Sequence, residues 1–159
     1  MTTGVDSYVS LAEADAYVAV AYADSDVASA WALLGDDQRE FRLVTASIAL
    51  DALPFPGRKR NPRQALQFPR WPLDDVPVSI QHAQIEIALA PLKPEYQTLQ
   101  ADIATRATLQ RSGVTAFSIG DLSESYGGAG NLVSEHAFLA DATIHQLLAP
   151  FLRGGFAVC

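Results

Sequence analysis

The sequence predicts a mainly α-helical protein, a compact bundle of about five to six helices with one β-hairpin and an extended C-terminal tail. Three observations carry this. Apolar residues recur at three- and four-residue spacing through most of the 159 positions; Ser, Asp, Gly and Pro punctuate those runs; and the period falls to two only over 114–127. With 49% apolar residues there is enough material for one sizeable core, so residues 1–152 read as a single helical domain and 153–159 as a tail.

The first helix starts at Ser10-Leu11-Ala12-Glu13, a capping-box pattern in which the Ser10 hydroxyl accepts an orphan N–H and Glu13 reaches back. It runs to about Tyr22 with Leu11, Ala14, Val18 and Tyr22 on its apolar face. A second helix, about Val27 to Leu34, carries Trp31 and Leu34 and stops at Gly35, where a left-handed cap costs little; Asp36 or Asp37 then caps the third. That helix, about Asp37 to Leu53, is expected to turn Phe41, Val44 and Ile48 to one side, with Leu43 and Leu50 nearby, until Pro54 and Pro56 end it.

The segment 54–77 holds six prolines and the aromatic residues Phe55, Phe68 and Trp71, too many prolines for a regular element and too many rings for a disordered linker. It reads as an ordered strap whose rings cover a core edge. A fourth helix follows from about Val78 to Leu92, with Ile80, Ala83, Ile87 and Leu92 inward, and a fifth from about Glu95 to Arg111, with Tyr96, Leu99 and Ile103 on one face. The alternation over 114–127 centres on Gly120-Asp121, which suits a two-residue hairpin turn, and Asp141 caps a last helix, ATIHQLLAPFL.

Charge is unevenly spread. The chain carries a formal charge of −7, yet residues 51–72 hold one acid and five bases (Arg58, Lys59, Arg60, Arg63 and Arg70). Net repulsion argues against a general polyanion-binding surface, so any nucleic-acid contact must be local. The single cysteine, Cys159, excludes an intrachain disulfide, and the N-terminus lacks the basic and apolar regions of a signal peptide. No run approaches about 18 uncharged apolar residues, so no membrane partner is expected and the protein should stay soluble in the cytoplasm where it is made.

Candidate chemistry is sparse. His82 and Glu86, four apart on a helix, could share a metal, but no third ligand supports them, and a solvated or packing pair is the alternative. His136 and His145 read as surface or interface residues, and GGAG at 127–130 lacks phosphate-loop spacing and reads as a hinge. No nucleophile elbow is present, so no enzyme, catalytic residue, metal or cofactor is expected. The basic island has three readings: a small single-strand platform pairing phosphates with stacked bases, a contact with another protein, or a plain solvated loop.

DSYVSLAEADAYVA near the start, TASIALDALPFPGRKRNPRQALQFPRWP in the middle, Val76-Pro77-Val78 ahead of AQIEIALA, and IHQLLAPFLRGG at the end together resemble the small head-tail connector (adaptor, head-completion) proteins of tailed bacteriophages, a family also labelled DnaT-like single-stranded-DNA-binding protein. The resemblance implies a non-enzymatic structural protein of the virion neck, assembled in the host cytoplasm as a ring of about twelve copies beneath the portal. Its partners would be the portal, neighbouring copies, a tail or stopper protein, and passing double-stranded DNA held without sequence specificity. It implies portal docking by Arg153, Gly154, Gly155 and Phe156, and ring or DNA contacts by Arg58, Lys59, Arg60 and Arg70. Residues 93–113 and Cys159 depart from the family pattern. The alternative is a single-stranded-DNA-binding module using 58–70.

Overall fold

Six α-helices lie among the residues that the computed structural model describes, which are 1–111, 116–119, 122–125 and 137–152. They are α1 (Leu11–Ala21), α2 (Asp26–Ala32), α3 (Asp36–Asp51), α4 (Val78–Leu89), α5 (Pro94–Arg111) and α6 (Ala142–Leu152). Short 3₁₀ turns at Ala90–Leu92 and Ala137–Ala140 lead into α5 and α6. The protein is mainly helical, as the periodicity predicts.

The local signals act largely as expected. Ser10 Oγ accepts from Glu13 N at 3.3 Å and Ser10 N donates to Glu13 Oε2 at 2.7 Å, closing the capping box of α1. Asp141 Oδ1 accepts from Thr143 N at 2.8 Å and so caps α6. Gly35 departs from expectation: its φ of −69° is not left-handed, and it serves as the extended N-cap of α3. Asp36 and Asp37 instead occupy the first turn, where the helix dipole favours negative charge.

α4 sits at the centre, packed against α3 and α6 and buried continuously from Ala83 to Leu89. A helix covered on all sides needs its polar groups satisfied inside the protein. Gln84 achieves this: Oε1 accepts from Tyr8 N at 2.9 Å, and Nε2 donates to Ser7 Oγ and to Leu43 O, both at 2.7 Å. One side chain thereby fixes the N-terminal segment and α3 to the middle of the core.

The face of α3 is corrected by the structure. Leu43, Ala46, Ser47 and Leu50 point inward, whereas Phe41 and Ile48 are 72% and 67% exposed. Both rows obey helical spacing and both are apolar, so the choice is made by the groups that α4 offers, the Gln84 bond to Leu43 O among them. The strap rings divide as well. Phe68 packs edge-on against Phe55 at 4.9 Å and Phe151 at 5.5 Å, while Trp71 is 51% exposed and covers no core edge.

A buried polar cluster joins four helices. Glu86 Oε1 accepts from the Tyr17 hydroxyl at 2.7 Å, and Oε2 accepts from the Tyr22 hydroxyl at 2.6 Å and from Lys93 Nζ at 2.7 Å. Lys93 also donates to Asp141 Oδ2 at 2.7 Å, so α1, α4 and the starts of α5 and α6 meet at one ammonium.

Ala116–Ile119 and Leu122–Ser125 run antiparallel, with Ala116 opposite Ser125. The turn expected at Gly120-Asp121, the rest of the 114–127 hairpin, and the 153–159 tail lie outside the described residues. Among the described residues no helix is long and apolar enough to cross a membrane.

The cluster has a signed pH consequence. Burial, then the bond to Glu86, raises Tyr17 and Tyr22 above the ordinary tyrosine value of 10.0, and burial with the Asp51 contact raises Tyr8. Burial opposes the Lys93 charge, but its bonds to Asp141 and Glu86 outweigh burial and raise it above 10.5. Above pH 10 the unfolded chain has therefore released protons that the folded chain keeps, so stability falls as pH rises. Melting temperatures measured from about pH 8 to about pH 11 should decline through the alkaline limb, less steeply in Tyr17→Phe; a flat wild-type profile contradicts this.

Candidate nucleic-acid interface

The strap leaves α3 through Leu53 and Phe55, both buried, and turns at Gly57, whose φ of +83° is a conformation that side chains rarely adopt. Two limbs then pair. Arg60 N donates to Pro69 O at 2.9 Å and Trp71 N to Arg58 O at 3.0 Å, setting Lys59 opposite Arg70. Side chains alternate across a pair of extended limbs. Lys59 and Arg70 therefore share one side, and Arg58, Arg60 and Trp71 the other.

The inward side is occupied by Arg70, only 5% exposed. Its Nε donates to Pro56 O at 3.1 Å, Nη1 to Gln67 Oε1 at 2.6 Å, and Nη2 to Phe55 O at 2.9 Å and Gly57 O at 2.6 Å. The expected ring or DNA contact by Arg70 is therefore corrected: its guanidinium is consumed in holding the strap shut. Lys59 turns its ammonium onto Gln64 O and Ala65 O at 3.3 and 3.2 Å, tying the loop between the limbs. Gln64 completes that loop by donating to Leu66 O and Pro69 O.

The strap is also bolted to the core. The Tyr8 hydroxyl donates to Asp51 Oδ1, and Gln67 N donates to the Tyr8 hydroxyl at 3.0 Å and to Asp51 Oδ2 at 3.1 Å. Burial holds the Asp51 carboxyl above the usual aspartate range despite these donors.

The outward side is different in kind. The half-exposed Trp71 ring has the Arg60 guanidinium 4.9 Å and the Arg58 guanidinium 5.6 Å from its centroid. Arg60 Nη2 also pairs with Asp74 Oδ1 at 2.5 Å, and Arg63 is exposed in the loop between the limbs. Two cations over a half-exposed indole, on a strap hydrogen-bonded from behind, bring together the group types that meet a nucleobase and its flanking phosphates.

The remaining candidates are placed elsewhere. Glu86 is absorbed in the tyrosine–lysine cluster, and His82 packs on the Tyr17 ring at 4.6 Å between centroids, so the pair is not a ligand set. No group of three or more His, Cys, Asp or Glu residues that could hold a metal occurs among the described residues. His145 is exposed on α6; His136, 127–130, Cys159 and the docking residues Arg153, Gly154, Gly155 and Phe156 lie outside the described residues. Sequence reasoning missed an apolar groove of ≈ 620 Å³ beside the outer face of α3, lined by Leu34, Phe41, Ala49, Ile87, Tyr96 and Phe138 among others.

A protein-family model described as "Putative DnaT-like ssDNA binding protein" matches residues 1–159. No curated protein and no solved structure matches the chain.

The two arginine environments separate in stability. Arg70→Ala strands the carbonyls of Phe55, Pro56 and Gly57 and should cost about 2–4 kcal/mol in urea unfolding, whereas Arg58→Ala should stay within about 0.5 kcal/mol. Equal effects contradict the inward placement of Arg70.

Proposed function

The chain belongs to this DnaT-like family, and on that premise we propose that it binds single-stranded DNA through Arg58, Arg60 and Trp71. One observation carries the reading: a half-exposed indole with two guanidiniums against it, on a strap whose inner side is locked by Arg70. A base stacked on an aromatic ring contributes about 1–3 kcal/mol, and flanking arginines add phosphate contacts. The locked strap presents these groups with little ordering cost on binding. The charge of −7 confines the attraction to this island, so binding covers few nucleotides and weakens with salt in proportion to the few phosphates contacted.

A second reading rests on a different observation, the exposed Phe41 and Ile48 on the outer face of α3, Phe41 also lining the ≈ 620 Å³ groove. An apolar face of this kind suits a contact between copies, because contiguous exposed apolar area favours association. In this reading the protein is a non-enzymatic head-tail connector in the neck of a tailed phage. Copies form a ring beneath the portal by head-to-tail contacts, double-stranded DNA passes through without specific binding, and residues 153–156 dock on the portal. The segment 114–127 then offers a hairpin edge to a neighbour.

One paired experiment separates them. Fluorescence anisotropy with an oligo-dT probe should show salt-dependent binding that Trp71→Ala weakens roughly 5- to 100-fold while Phe41→Asp leaves it intact. Absence of binding, together with rings in sedimentation and electron microscopy that Phe41→Asp disperses, rejects the first reading in favour of the second.

A further inference from the structure

Asp74 sets a carboxylate against one of the two guanidiniums beside Trp71. Its Oδ1 lies 2.5 Å from Arg60 Nη2, the same guanidinium that stands 4.9 Å from the Trp71 centroid. A carboxylate and a phosphodiester present the same acceptor chemistry to a guanidinium fork, so the two compete for one set of N–H donors. Asp74 is 75% exposed and Arg60 39%, which keeps the pair at the surface, where breaking it costs little.

We infer that Asp74 is an internal phosphate mimic that gates the Arg60–Trp71 platform, holding its affinity for single-stranded DNA below what the platform alone would give. This inference rests on the single-strand reading. Binding proceeds by exchange: a backbone phosphate of the strand displaces the Asp74 carboxylate from Arg60 while a base settles on Trp71, and the freed carboxylate turns to solvent. No covalent step is involved. The device suits a protein that must release the strand readily, because the carboxylate, tethered fourteen residues from its partner by a locked strap, remains available to take Arg60 back.

Removing the competitor should tighten binding. Asp74→Asn keeps the size of the side chain and removes its charge, and it should bind oligo-dT about two- to five-fold more tightly, as expected when an exposed ion pair no longer has to be broken. Asp74→Glu should behave as wild type. Asp75→Asn, which removes the same charge from the adjacent exposed carboxylate, separates local gating from a change in net charge and should gain clearly less. Melting temperatures of all variants serve as the folding control.

If Asp74→Asn and Asp75→Asn gain equally, or neither gains, while Trp71→Ala still loses binding, the gate is overturned and the platform stands. If no variant and no wild-type protein binds oligo-dT, the platform is overturned and the gate with it.

Discussion

The guanidinium of Arg70 donates to the carbonyls of Phe55, Pro56 and Gly57 and to Gln67 Oε1. A buried charge is costly unless its hydrogen-bonding capacity is met, and here main-chain dipoles meet most of it. The bonds close the strap onto itself just after α3 ends. Because Arg70 faces Lys59 across paired limbs, fixing Arg70 inward also fixes Arg58, Arg60 and Trp71 outward. The surface chemistry of the strap follows from that alternation, not from the count of basic residues in it.

The same bonds connect to the centre of the protein. Gln84, buried in α4, holds Leu43 O, Ser7 and Tyr8 N; the Tyr8 hydroxyl holds Asp51 and Gln67; and Gln67 accepts from Arg70. Each link satisfies a polar group that burial would otherwise strand, so the path from core to platform is built from groups that cannot relax independently. A ligand meeting Trp71 meets a surface braced from behind. Specificity for single strands would come from the exposed indole, and modest strength from the acidic chain around it.

Helix existence was legible because caps and periodicity agreed, as at Ser10 and Asp141. The inward face of α3 was not, since Phe41, Val44 and Ile48 form as good an apolar row as Leu43, Ala46 and Leu50. The role of Gly35 was misread because glycine suits both ends of a helix. Within the strap, the basic composition marked the segment but could not sort its members: Arg70 and Arg60 carry the same charge and differ only in the side of a bridge too short to leave a periodic signal. Glu86 looked like half of a ligand pair because its partners, Tyr17 and Tyr22 of the first helix and its cap and Lys93 ahead of α5, converge from two segments distant in sequence.

The central claim is that the strap has an inner side that holds it and an outer side that binds. Nuclear magnetic resonance of the side-chain N–H groups during titration with oligo-dT tests this directly. The account predicts shifts at the Trp71 indole and at the Arg58 and Arg60 Nε–H groups, with Arg70 Nε–H slow to exchange and unmoved throughout. An Arg70 signal that exchanges freely or shifts with the ligand, or shifts centred on Phe41 and Ile48 with none at Trp71, would contradict it.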